Sequence, residues 1–153
     1  MEWQDLKKNV YYLDGSLRDI YINNVTNIDW QVWTDFVNKN YKTSFHVYEK
    51  SITTDKIDFS VVLDYWKGNK DSSCMATVFV DDIIIKAYFF DSEQIENDLT
   101  PTEINSIDDH DKLLNYLTKL SKVLNKQVIL TPENEVENIL VAIDKDEVKI
   151  NIH

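Results

Sequence analysis

A chain of 153 residues that is 43% hydrophobic and 12% aromatic can bury a core of its own and is expected to fold as one domain over 1–153. Its net charge of −11 opposes direct binding to nucleic acid or an anionic membrane, and its single cysteine, Cys74, excludes an internal disulfide. No apolar run reaches the ~18 residues of a membrane span and Met1–Asp5 lacks a signal peptide's basic and apolar regions, so a cytoplasmic location is expected.

In chain order, Val10–Leu13 and Leu17–Ile22 flank Asp14-Gly15-Ser16 and read as a β-hairpin. Thr26 and Asp29 have the spacing of a capping box, with Val25 and Trp30 at the staple positions. The helix they start runs to about Asn40 and sets Trp30, Trp33, Phe36 and Val37 on one core-facing stripe. Phe45–Glu49 reads as a strand. Ile57, Phe59, Val61, Leu63 and Tyr65 recur every second residue, which predicts another strand over 57–65. After the loop Lys67–Ser73, Cys74–Val80 and Ile83–Phe90 form a second hairpin over Asp81-Asp82. Both strands are apolar at nearly every position, which predicts cover on both faces.

Thr100-Pro101 breaks the segment that follows. A second helix starts near Ser106–Asp109 and runs to about Lys126, burying Leu113, Leu114, Leu117, Leu120 and Leu124, with acids in its first turn and lysines near its end. Gln127–Leu130 is a strand and Thr131–Asn134 a turn. Ile139–Ile143 and Glu147–Ile152 close the chain as a hairpin. The order ββαββββαβββ predicts an α+β fold: a mainly antiparallel sheet with two principal helices packed on it.

The charge is unevenly spread. Residues 91–111 hold eight carboxylates and no lysine or arginine, and residues 81–111 carry −9 of the total −11. Asp108, Asp109 and Asp111 suit a helix start and Asp81-Asp82 suits a turn. Asp91, Glu93, Glu96, Asp98 and Glu103, interleaved with Ile95 and Leu99, are explained by no local rule. A concentrated field of this kind speeds the arrival of a basic partner by roughly 10–1,000-fold. These five carboxylates, with Tyr88 and Tyr116 as apolar anchors, are the candidate partner-binding residues.

No reaction is written in the chain. With only Gly15 and Gly68, it contains neither GxGxxG nor a phosphate-binding loop, and HExxH and nucleophile-elbow patterns are missing. His46 and Cys74 lie in strands, where a structural role is the expectation. Asp108-Asp109-His110-Asp111 splays around a helix axis instead of converging on a metal, and Asp144–Glu147 lacks a calcium loop's glycine. No catalytic, cofactor or metal residue is assigned.

Two segments resemble stretches of the small immunity-type proteins that accompany bacterial polymorphic or contact-dependent toxins. They are Leu13–Tyr21, followed by Asp29-Trp30, and Val128–Asn134. The resemblance implies an acidic, cytoplasmic, non-enzymatic protein that occludes a toxin domain, often a basic nuclease. Their toxin-contacting residues vary, so no contact is carried over by position. Arg18 and Asp19 are expected to hold the first hairpin in place. The leading expectation is an immunity protein or antitoxin bound to a basic protein partner through the acidic stretch. An acidic DNA mimic or regulatory module acting on a host nucleic-acid-binding protein, and a carboxylate- or metal-dependent enzyme, are the alternatives.

Overall fold

Nine antiparallel strands make one sheet in the computed structural model, which describes residues 1–152. In chain order the elements are α1 (Trp3–Asn9), β1 (Arg18–Asn23), α2 (Asn27–Asn40), β2 (Lys42–Val47), β3 (Ile52–Thr54), α3 (Phe59–Trp66) and β4 (Cys74–Val80). Then come β5 (Ile83–Asp91), β6 (Gln94–Leu99), α4 (Ile107–Leu124), β7 (Val128–Pro132), β8 (Val141–Asp144) and β9 (Glu147–Ile150). The strands lie in the order β3-β2-β4-β5-β6-β1-β7-β8-β9. The α+β class is as expected, with four helices in place of two. No helix among the described residues is long and apolar enough to cross a membrane.

All four helices feed one core with a single face of the sheet. Leu6 of α1, Trp30, Trp33 and Val37 of α2, Phe59 and Val62 of α3, and Leu113, Leu117 and Leu120 of α4 pack with Ile20, Ile22, Ile83, Ile85, Ala87 and Phe89. The Thr26–Asp29 capping box forms as expected, and Ser106 caps α4 by accepting from the Asp109 amide at 3.1 Å. The α4 leucines point inward as their spacing requires.

Several elements differ from expectation. The first hairpin does not exist: residues 3–9 are helical, and 10–17 wrap around the buried Arg18. Its guanidinium donates to the carbonyls of Val10 (2.7 Å), Tyr12 and Leu17 (2.9 Å), and to Ser16 Oγ (3.0 Å). Those carbonyls serve an arginine instead of a strand ladder. Residues 57–65 are not a strand. Asp58 accepts from the Ser60 amide at 3.0 Å and caps α3, and Phe59 and Val62, three apart, supply its buried face. Finally, β6 was missed, because its Glu96 and Asp98 mask the inward alternation of Ile95, Asn97 and Leu99.

The second face of β5 matters most for function. Ile83, Ile85, Ala87 and Phe89 are buried, whereas Ile84 is 39% and Phe90 70% exposed, with Lys86 exposed and Tyr88 half-buried between them. The expectation that this strand is covered on both faces is therefore corrected: no helix lies over its second side.

Candidate functional site

The strand register lays the face away from the helices out as a lattice, open over β5 and buried toward β1 and β7. In one row Tyr21 of β1, Glu96 of β6, Tyr88 of β5, Met75 of β4 and His46 of β2 stand side by side. In the next row Thr131 of β7, Asp19 of β1, Asp98 of β6, Lys86 of β5 and Thr77 of β4 do the same. Cross-strand neighbours of this kind interact directly. Glu96 is thus flanked by two tyrosines, and Asp98 by a second aspartate and a lysine.

Asp19 is almost fully buried and fixed. Its Oδ2 accepts from the Tyr21 hydroxyl at 2.9 Å and from the Asn134 amide at 2.7 Å, so it also ties down the chain after β7. Glu96 and Asp98 are half-buried. Burial raises the Glu96 carboxyl above its ordinary value, the charges of Asp19 and Asp98 add to the rise, and the Tyr21 hydroxyl opposes it. Burial likewise raises the Asp98 carboxyl, with Asp19 adding, while a hydrogen bond from Tyr88 and the charge of Lys86 oppose it. Both tyrosine hydroxyls are held in the neutral form, first by burial and then by the carboxylates they face. Among the described residues neither Glu96 nor Asp98 has a lysine or arginine nitrogen within 4.0 Å.

Beside the acids lies an aromatic platform. The Tyr88 and Phe90 rings stack with centroids 5.1 Å apart and planes within 2°. Tyr48 and His46 pack edge to face at 5.0 Å close by, and the His46 ring nitrogen shares a hydrogen bond with Thr53 Oγ1 at 2.7 Å. A shallow hollow of about 260 Å³ between Ile84, Lys86, Tyr88, Asp98 and Glu103 continues the face toward Thr100.

The expected site residues therefore divide. Tyr88, Glu96 and Asp98 share the face, and Glu103 borders it, its carboxylate accepting from the Ile84 amide at 3.4 Å. Asp91 and Glu93 belong to the exposed β5–β6 turn, where the Asp91 carboxylate accepts from the Glu93 amide at 2.8 Å. That turn is anchored from below by the Trp30 indole donating to the Ser92 carbonyl at 3.0 Å. Tyr116 is corrected: it is fully buried, 5.0 Å from Tyr41, and has no surface to offer a partner. Sequence reasoning missed Asp19, Tyr21 and Phe90. Asp19 and Tyr21 were visible only as members of a supposed hairpin, and only the pairing of β1 with β6 brings them to the acids.

The other candidates for chemistry are structural. Cys74 is buried, and burial pushes its thiol up to about 12, which removes the thiolate a nucleophile requires. His110 is buried with a ring nitrogen 2.7 Å from the Tyr11 hydroxyl. Among the described residues no group of three His, Cys, Asp or Glu side chains could hold a metal ion. A hollow of about 510 Å³ lies away from Glu96 and Asp98 beside Lys42, Asp81, Lys112 and Lys119, and its Lys112 is drawn toward Asp81 and Asp108 at 3.8 and 3.6 Å.

Compared with protein-family models, with curated proteins and with solved structures, the chain finds no match.

Proposed function

We propose that this protein is a non-enzymatic immunity protein that neutralises a basic bacterial toxin domain by covering it with the open face of its sheet. The observation that carries the reading is the pairing of half-buried carboxylates at Glu96 and Asp98, which among the described residues make no ion pair within 4.0 Å, with the exposed Tyr88–Phe90 stack. Like charges placed directly across a strand pair weaken a fold by ~0.2–1 kcal/mol, and an exposed Phe gains nothing from water. Both features become favourable once a cationic, partly apolar surface covers them. A nuclease surface is basic because its substrate is a polyanion, so an acidic face competes for the same field.

Two kinds of acid then have two jobs. The exposed Asp91 and Glu93 of the turn extend the field outward and speed encounter. Glu96 and Asp98, already partly desolvated, act in the docked complex, where truncating one side of a buried charge pair costs about 2–5 kcal/mol. Tyr88 and Phe90 supply the apolar anchor. The reading is tested by co-expressing this protein with the C-terminal domain of the protein encoded by the adjacent upstream gene. Rescue of growth together with a co-purifying complex is the expected result. Continued toxicity with no complex refutes it, and tight, salt-sensitive binding to several unrelated basic proteins points to a nucleic-acid mimic instead.

A further inference from the structure

Resting on the docking reading above, we infer that the partner's central cation at this face is an arginine, its guanidinium stacked on the Tyr88–Phe90 pair and its N–H edge turned to Glu96 and Asp98. The face offers two chemically different things, joined where Tyr88 and Glu96 stand as direct cross-strand neighbours. One is a pair of parallel rings with the outer ring 70% exposed. The other is a pair of carboxylates two residues apart on β6, both pointing out of the same face, Glu96 beside Tyr88 and Asp98 beside Lys86.

A lysine ammonium is a compact, strongly hydrated point charge and uses only the second feature well. A guanidinium is flat, weakly hydrated and forked. It can lie on a ring while donating in its own plane to carboxylates at its edge. The immediate surroundings favour this as well. Asp19 is already engaged by the Tyr21 hydroxyl and the Asn134 amide, so an incoming cation meets Glu96 and Asp98, the more exposed acids of this face. Lys86, the one cation in the lattice, stands on the far side of Asp98 from Asp19 and makes no ion pair within 4.0 Å. That places it on the ring side of Asp98, next to Tyr88 on the same strand, and leaves Glu96, which pairs with Tyr21 and Tyr88, as the carboxylate of the two with no cation opposite it.

The test compares N-acetylated tetra-arginine amide with N-acetylated tetra-lysine amide, equal in charge, titrated into the whole protein at low salt. Backbone and aromatic-ring NMR shifts report the site. The arginine peptide is expected to bind this face about 3- to 10-fold more tightly and to shift the Tyr88 and Phe90 ring signals along with Glu96 and Asp98. The preference is expected to vanish in Phe90→Ala and in Tyr88→Leu, while the lysine peptide's affinity stays unchanged. Phe90 is exposed, so the first variant keeps its fold, which its amide spectrum verifies. Equal affinity of the two peptides at this face overturns the arginine inference and leaves the docking face standing. If neither peptide perturbs Glu96, Asp98 or Tyr88, both fall.

Discussion

Asp19 of β1 and Asp98 of β6 are direct cross-strand neighbours, a buried and a half-buried carboxylate on the side of the sheet away from the helices. Asp19 is locked by the Tyr21 hydroxyl and the Asn134 amide, so the repulsion falls on Asp98. Asp98→Asn keeps the shape and the acceptor for Tyr88 and removes one charge. It is expected to raise the melting temperature at neutral pH by about 1–3 °C while weakening partner binding. A thermal scan and a binding isotherm on the same sample check both halves.

The pH dependence of stability has a definite sign here. The Glu96 and Asp98 carboxyls titrate higher in the fold than in the unfolded chain, so the fold holds their protons more tightly. The stability they contribute is full below about pH 4 and is lost as pH rises through their raised values. In Glu96→Gln/Asp98→Asn that loss disappears, so urea midpoints followed from about pH 4 to 8 are expected to decline less than in the wild type.

His110 works in the opposite direction. Burial lowers its imidazole below the ordinary value, only partly offset by the charge of Asp111. The unfolded chain takes up the proton more readily, so this stability is full above about pH 6.5 and is lost as pH falls toward the lowered value. His110→Phe forfeits the Tyr11 hydrogen bond and is expected to be less stable at about pH 7.5, by ~0.5–1.5 kcal/mol, with the gap narrowing at about pH 5.5. Denaturant curves at the two pH values measure it.

Arg18 is the structural keystone of the N-terminal loop. Its fork satisfies the carbonyls of Val10, Tyr12 and Leu17, and the Tyr12 ring lies 3.9 Å from its central carbon. Arg18→Met leaves those carbonyls without a donor and is expected to cost about 3–5 kcal/mol. Arg18→Lys is expected to rescue less than half of that, because one ammonium cannot reproduce the planar fork. Urea titration of both variants separates the fork from the charge.

Asn97 lies on the core side of β6 between Ile20 and Ala87, fully buried, and neither polar atom of its side-chain amide finds a partner among the described residues. Asn97→Val is expected to stabilise the fold by ~1–2 kcal/mol. A lower melting temperature in this variant refutes that assignment.

Much of this fold was legible wherever a local signal and the core agreed. The Thr26–Asp29 box, the Ser106 cap, the α4 leucine stripe and the two-residue Asp81-Asp82 turn all lie where their chemistry demands. The failures came where a long-range partner overrode a local pattern. Leu63 and Val61 mimic strand alternation, but Asp58 caps a helix and the Trp66 indole donates to the Phe89 carbonyl at 2.8 Å, fastening that helix under β5. The acids of residues 91–103 stood out in the sequence. Nothing local could tell that two of them share a face with Asp19 and Phe90, because register joins residues more than seventy positions apart.

Isothermal titration of the toxin domain proposed as partner against wild type, Glu96→Lys/Asp98→Lys and Asp91→Lys/Glu93→Lys tests the face most directly. The face variant is expected to lose about 100-fold or more in affinity, and the turn variant less than about 10-fold, mainly through slower association. A folded Glu96→Lys/Asp98→Lys protein that still binds as tightly as wild type contradicts the assignment of this face.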